Sequence, residues 1–339
     1  MVHRALVAGL GSIGTRHLRL LREALPDAEI LVLRHSECVE PLPHAAGCTT
    51  SLEEACRFEP QVAIIASPAP FHLLAANALA EQGTHLLIEK PLADSTAGVG
   101  AFLEKCTQKD VIVQIAYNLR LFETLQHFRQ ELKRCRIGRI LSVRCEIGQY
   151  LPGWRPSMDY RETVSAQHKL GGGALLELSH ELDMLRWVFG DVDWVSSWKG
   201  KLSSLDIDVE DCAYLNLGFS NGVVGNLCMD FIRRDTTRRC TVIAEAGTLS
   251  WDAVSGEVSL FTPEANKWEV LIQKTPDRDH SYREQIRLFL EAVTTGQMFP
   301  GISTGEDGLA VLDLVAAARK SAERGGEIIL VTKTKVAKE

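Results

Sequence analysis

The segment "ALVAGLGSIGTRHLRLLREAL", beginning at Ala5, restricts the fold more than any other stretch of the chain. An apolar run ends in Gly9, Gly11 and Gly14, and a helical pattern of leucines starts at once. In such a Gly-x-Gly-x-x-Gly turn the first glycine permits a tight reversal, the second lets a pyrophosphate approach the backbone, and the third lets the helix pack close to the sheet. Ser12 and Ile13 complete the turn, and the helix N-terminus offers free N–H groups and a positive dipole end to phosphates. A purely structural turn is the competing reading. The position at the first strand-to-helix junction of an alternating domain favours the ligand.

That alternation is plain over the first 120 residues. "RALVAG", "EILVLR", "QVAIIAS", "HLLIEK" and "VIVQIAY" are apolar without period-two alternation, as strands buried on both faces should be. Between them, Ser51 with Glu54 forms a capping box, and "PFHLLAANALAEQG" opens on a proline and stops at Gly83. The pattern predicts a doubly wound parallel sheet, a Rossmann domain over residues 1–121. A chain of 339 residues exceeds what one core usually organises, so a second domain is expected.

The rhythm changes after "FETLQHFRQELKRCRIG", and eight apolar segments from "RILSVRCEIGQY" to "WEVLIQ" follow with short turns such as "SNG" and "EAG". This predicts an α+β domain over residues 122–339 with an open-faced, mainly antiparallel sheet. The helical segments "YREQIRLFLEAVTTG" and "GEDGLAVLDLVAAARKSAERGG" close it, the last of them (about 304–323) placed to pack back on the first domain. The tail "TKTKVAKE" is expected to fray.

Charge and cysteine usage narrow the function class. A net charge of -7 argues against a sequence-independent nucleic-acid binder, and the basic run "RRDTTRR" (Arg233 to Arg239) suits a solvated strand end as well as an anion site. The nine cysteines show no Cys-x-x-Cys pair or zinc-like spacing, which predicts reduced thiols and a cytoplasmic location. No apolar run reaches the roughly 18 residues that would span a bilayer. Neither nucleic acid nor membrane is expected as a partner.

Further cofactor contacts follow from the strand ends. Where NAD-binding domains carry an acid for the ribose 2′-hydroxyl, the second strand here ends in Arg34, which can pair with the 2′-phosphate of NADP or be an exposed strand-end arginine. NADP is therefore favoured slightly over NAD. "ASPAPFH" places Ser67 and Pro68 at the ligand-binding edge, with His72 either touching the cofactor or lying at the surface near a helix start. "IEKP" presents Glu89 and Lys90 at the end of another buried strand.

These segments, together with "GLGSIGTRH", "SPAPFH", "EKPLA", "YNLRL" and "GGGALLELSHELDMLRWVFG", resemble the Gfo/Idh/MocA oxidoreductases over nearly the whole chain. The resemblance implies a catalytic role for Lys90, a cis peptide between Lys90 and Pro91, and a Rossmann domain followed by an open-faced sheet. The form "WRPSMDYR…GGGALLELSHELD" further resembles members linked to cell-surface glycan and sialic-acid-like sugar synthesis.

The second catalytic segment departs from the family pattern, in which an Asp follows Gly-Gly-Gly and a His comes four residues after it. Counting from Gly171 places Glu177 at the Asp and Glu181 at the His; counting back from "DMLRW" places His180 there. On one helix Glu177, His180, Glu181 and Met184 would share a face. His180 is the better general base near neutral pH, with Glu177 orienting it or holding a substrate hydroxyl. A buried structural histidine is the alternative. A Glu-x-x-His metal pair would need a second copy that the chain lacks, so no metal is expected.

Asn118, Arg120, Trp154, Arg155, Tyr160 and Arg161 lie in segments placed to border a cleft between the domains, and their chemistry suits a polar, anionic sugar; ordinary loop packing is the alternative. The expected function is hydride transfer between a nicotinamide cofactor and a secondary alcohol or ketone of a sugar. The competing class is a non-catalytic dinucleotide-binding sensor. An open sheet face would favour a homodimer or homotetramer.

Overall fold

The computed structural model describes residues 2–37, 42–134, 136–275, 277 and 279–334. They form two compact units, Met1–Asn118 with Arg278–Leu312 and Thr334–Glu339, and Leu119–Asp277 with Asp313–Lys333.

In the first unit β1 (Arg4–Ala8) leads through the glycine turn into α1 (Ser12–Ala24). There follow β2 (Glu29–Leu33), β3 (Gly47–Thr49), α2 (Leu52–Arg57), β4 (Val62–Ile65), α3 (His72–Glu81), β5 (His85–Ile88), α4 (Val99–Gln108) and β6 (Val113–Ile115). The six strands are parallel, in the order β3-β2-β1-β4-β5-β6. The order reverses at β1 and β4, the switch point beside which ligands bind at the carboxyl ends of strands. Ala5 to Ala8 and Val62 to Ile65 are buried throughout, which is why these strands are unbroken apolar runs. Ser51 caps α2 by accepting the Glu54 N–H at 3.2 Å.

The second unit begins with α5 (Glu123–Lys133) and β7 (Ile140–Gly148). A run of 3-10 turns leads to α6 (Ala174–Glu177) and α7 (His180–Phe189), followed by β8 (Val192–Gly200), β9 (Cys212–Phe219), β10 (Val224–Asp230), β11 (Thr237–Ala244), β12 (Gly247–Asp252), β13 (Glu257–Thr262) and β14 (Lys267–Gln273). The chain continues through α8 (His280–Thr295), α9 (Gly305–Glu323) and β15 (Ile329–Leu330).

The nine-stranded sheet runs β14-β13-β12-β11-β7-β10-β9-β8-β15. Only its β7–β10 pair is parallel. Helices α5 and α6 pack on one face, where Trp251 is fully buried and donates its indole N–H to Thr124 Oγ1 at 3.0 Å. The other face is open: Trp198 stands opposite Tyr214 with ring centroids 6.0 Å apart, and both are exposed.

Three expectations change. α8 belongs to the first unit rather than the second, because its Ile286 and Phe289 are buried in one core with Ala5, Val7, Leu18 and Leu21. Strand β3 has only three residues, too few to show a period, and exists through its pairing with β2. Cys48 is disulfide-bonded, although Cys56, Cys106, Cys145, Cys212, Cys228 and Cys240 are free thiols. Which sulfurs come within reach depends on strand placement, not on spacing in sequence. Of the tail "TKTKVAKE", residues 335–339 lie outside the described residues. Among the described residues no helix is long and apolar enough to cross a membrane.

Candidate functional site

The glycine turn is built by contact and by conformation. Gly9 has φ +97°, and a Cβ there would lie 2.5 Å from the Ser67 nitrogen; a Cβ on Gly14 would lie 2.1 Å from the Gly9 oxygen. Gly11 is different. Its backbone is extended (φ -74°, ψ -170°), and a Cβ would meet nothing within 4 Å. The open space at Gly11, above the first residues Ser12 and Ile13 of α1, is where a pyrophosphate would approach. Ser67 Oγ, just beyond β4, is buried and has no hydrogen-bond partner among the described residues. An unsatisfied hydroxyl beside an open helix N-terminus fits a dinucleotide. Pro68 follows and starts the 3-10 turn Ala69–Phe71.

Arg34 stands at the end of β2, its Nη2 donating to Ser36 Oγ at 2.8 Å. Its Nε is buried without a partner among the described residues. The guanidinium therefore retains donor capacity for an anion.

At the carboxyl end of β5 the arrangement differs from expectation. Glu89 is buried, with Oε1 2.7 Å from His17 Nε2 and Oε2 accepting the Lys90 N–H at 3.1 Å. Its carboxylate is thus engaged inside the unit by α1 and by its own neighbour. The Lys90–Pro91 peptide is cis and Lys90 is half-buried. His72 is 1% exposed, with Nε2 2.6 Å from the Ser67 oxygen and Nδ1 3.0 Å from the Pro91 oxygen. Burial pushes its pKa down against the pull of these carbonyls and of Glu89. His72 clasps the loops after β4 and β5 together, a structural task rather than an open contact surface.

In the second unit the expected single helix is broken. α6 ends at Glu177 and α7 starts at His180, with Leu178 and Ser179 between them, so Glu177, His180, Glu181 and Met184 do not share one continuous helical face. The glycines before α6 are held by close packing: Gly173 has φ +105°, and a Cβ there would lie 2.5 Å from Glu210 Oε1. Glu177 Oε2 accepts the Ser165 hydroxyl at 2.8 Å. Glu181 is fully buried, its Oε1 2.7 Å from Arg238 Nε. Glu177 and His180 are half-buried. Of the two candidate bases, the carboxylate is sealed in an ion pair and the imidazole reaches the surface.

The other candidates divide in the same way. Asn118, in the first unit, is buried with Nδ2 donating to Ser281 Oγ at 3.0 Å. Arg120 is 4% exposed and grips Asp183 of α7 bidentately, at 2.8 and 2.5 Å. Arg161 forks onto Asp159, and the Tyr160 hydroxyl accepts the Asp206 N–H at 3.1 Å. Trp154 donates to the Gln149 oxygen at 3.0 Å and meets Phe231 edge-on. Arg155 is the exception, half-buried with a guanidinium that makes no hydrogen bond or ion pair among the described residues. The basic run is also largely paired: Arg233 with Glu146 and Asp235, Arg238 with Glu181, and Arg239 with Asp252. Among the described residues no cluster of His, Cys, Asp or Glu could hold a metal.

Sequence reasoning passed over His17, Arg238 and Asp183. A signal existed for His17, a polar residue on the apolar stripe of α1 three positions past Gly14. Arg238 and Asp183 find their partners across elements, which no local pattern reveals.

A six-stranded doubly wound sheet with an open glycine turn, in a chain that also builds a large antiparallel sheet, defines a dinucleotide-binding protein of the two-domain oxidoreductase class. Residues 3–117 match the family model for the oxidoreductase family's NAD-binding Rossmann fold, and residues 129–330 that for its C-terminal alpha/beta domain. The chain belongs to the Gfo/Idh/MocA oxidoreductase family. It is 30% identical to levoglucosan dehydrogenase of Pseudarthrobacter phenanthrenivorans over 189 residues, which span 48% of this chain and 47% of that protein. To D-xylose 1-dehydrogenase (NADP(+)) 2 of Haloferax volcanii it is 23% identical over 78% of either chain. A levoglucosan dehydrogenase solved with NADH superposes with a TM-score of 0.83 at 19% identity, covering 98% of this chain and 100% of that one, a likeness of fold.

Proposed function

We propose that the protein is an NAD(P)-dependent dehydrogenase that interconverts a secondary alcohol and a ketone on a sugar or sugar derivative. One observation carries this reading: the glycine cradle, the unpartnered Ser67 hydroxyl and Lys90 all lie at the carboxyl edge of one parallel sheet. Family membership and the sugar dehydrogenases among its relatives support it. A nicotinamide dinucleotide supplies the hydride chemistry. Gly11 and the first turn of α1 bind its pyrophosphate, and Ser67 hydrogen-bonds beside them. Arg34 faces the adenosine ribose, which favours NADP by pairing with the 2′-phosphate.

His180 acts as the base. Its Nδ1 is buried, and Nε2 is assigned to the hydroxyl proton of the substrate. The Lys90 ammonium stabilises the oxygen anion that develops as the proton leaves, Glu177 holds a neighbouring hydroxyl, and Arg155 binds an anionic group on the sugar. A glycan-type acidic sugar, free or nucleotide-linked, fits that last donor. The open sheet face, with Trp198, Tyr214 and Trp268 exposed, is the surface for a homodimer or homotetramer.

The test is a screen of NAD and NADP with levoglucosan, D-xylose, nucleotide sugars and acidic sugars, read by the absorbance of reduced nicotinamide. With a reacting sugar in hand, His180→Ala and Lys90→Met should each lower turnover by about 10²- to 10⁴-fold with dinucleotide affinity largely kept. A silent His180→Ala beside a damaging, folded Glu181→Gln would move the base to Glu181. Tight dinucleotide binding with no turnover on any sugar would make the protein a sensor. Arg34→Asp should weaken NADP more than NAD; tighter binding of NAD by the unaltered protein would refute the role of Arg34.

A further inference from the structure

We propose that His17 is a positioning residue for Lys90, tying the dinucleotide helix to the lysine segment through Glu89 and holding that carboxylate in place as the counter-ion of the lysine. His17 lies on α1, one turn inside the phosphate-binding end, and is fully buried. A polar ring removed from water is costly unless it is bonded, and an apolar side chain would serve packing alone. Its Nε2 lies 2.7 Å from Glu89 Oε1, while Nδ1 is buried without a partner among the described residues. The ring's polar function is therefore its contact with Glu89. Tyr282 of α8 closes the other side edge-on, with ring centroids 5.8 Å apart.

Glu89 distributes its oxygens with equal economy. Oε1 faces His17, Oε2 accepts the Lys90 N–H at 3.1 Å, and its own N–H donates to the Ile65 oxygen at 2.8 Å. The carboxylate thus links α1 to the Lys90 backbone, while the residue's own N–H ties it to the end of β4. Burial alone would raise its pKa, yet the hydrogen bond from His17 and the charges of His17 and Lys90 outweigh burial and hold it below the usual carboxylate range. The titratable groups that face it are His17, Lys90, His72 and Tyr282. Removing the His17 donor takes away the strongest influence opposing burial, so Glu89 ionises less readily and its support of Lys90 weakens. A helix that binds the dinucleotide at one end thereby governs the ammonium through its next turn.

The test reads Lys90 directly. The folded protein without cofactor is treated with limiting acetic anhydride, which acylates neutral amines, and the rate at Lys90 is followed by peptide mass spectrometry. His17→Phe, which keeps the bulk and removes the donor, should raise the acylation rate of Lys90 above that of the unaltered protein, because the ammonium loses anionic support. His17→Gln, whose amide N–H can reach the same oxygen, should return the rate close to that of the unaltered protein. Glu89→Gln should match His17→Phe, and it stands in should His17→Phe not fold.

A folded His17→Phe or Glu89→Gln labelled at the unaltered rate overturns the proposal. Its catalytic consequence rests on the reading of Lys90 given above. His17→Phe should lower kcat with little change in KM for the dinucleotide, and should add no further loss in a Lys90→Met background. A fully active Lys90→Met would remove the catalytic role of the lysine and leave the labelling result to judge the positioning.

Discussion

Two glycines three positions apart in one turn, Gly11 and Gly14, should fail in opposite ways when a side chain is added. At Gly11 the backbone is extended and the built Cβ has no atom within 4 Å, so Gly11→Val fits the fold. Substitution at such a compatible position changes stability by about 1 kcal/mol or less, and about 2–4 °C in Tm for a unit of this size. The same space is where phosphate oxygens would meet the first N–H groups of α1. Hydrogen bonds to a charged group contribute about 1.5–3 kcal/mol each. Displacing two of them weakens the dinucleotide by on the order of 10²- to 10⁴-fold. At Gly14 the built Cβ lies 2.1 Å from the Gly9 oxygen, a backbone atom that cannot swing aside. Gly14→Ala should therefore cost at least about 1–3 kcal/mol of stability, or roughly 2–12 °C. Thermal melts and calorimetric titration with NADH and NADPH separate the two. A folded Gly11→Val that binds either dinucleotide with unchanged affinity would refute the placement of the pyrophosphate, and a Gly14→Ala with unchanged Tm would refute the packing argument.

Other outcomes follow from the buried charges. Asp183→Asn leaves Arg120 buried without its carboxylate and should cost about 3–5 kcal/mol, visible as a shift of the urea midpoint; a change under about 1 kcal/mol would mean that the pair is replaced locally. Because Glu89 is held below the ordinary glutamate range, its ionisation stabilises the first unit fully above about pH 4.3, and that stabilisation disappears as pH falls through the depressed value. Glu89→Gln should make the acid limb of stability against pH shallower, measured by urea denaturation at a series of pH values; an unaltered limb would count against an ionised Glu89.

Much of the molecule is legible in its residue order. The strands β1, β2, β4, β5 and β6 and the eight from β7 to β14 coincide with apolar runs read from the chain, because burial on both faces or tight turns leave a local mark in residue order. The conformational roles of Gly9 and Gly14 are legible for the same reason, since a positive φ or a missing Cβ is a property of one residue and its immediate neighbours.

What the chain order does not contain is the choice among equally plausible partners. Glu177, His180 and Glu181 are near neighbours in sequence, and spacing alone leaves either register open; the helix break at Leu178 and Ser179, and Arg238 arriving from β11, decide that Glu181 is buried while His180 reaches the surface. Arg120 and Arg155 read alike as loop arginines, yet Asp183 lies 63 residues on from Arg120 and occupies it, whereas Arg155 has no such partner. His17 and Glu89 are 72 residues apart and meet only because α1 packs over the carboxyl end of β5. Local conformation is determined within a few residues and so is written in the sequence. Whether a charged side chain is free for a ligand depends on what folds against it, and that only the tertiary structure decides.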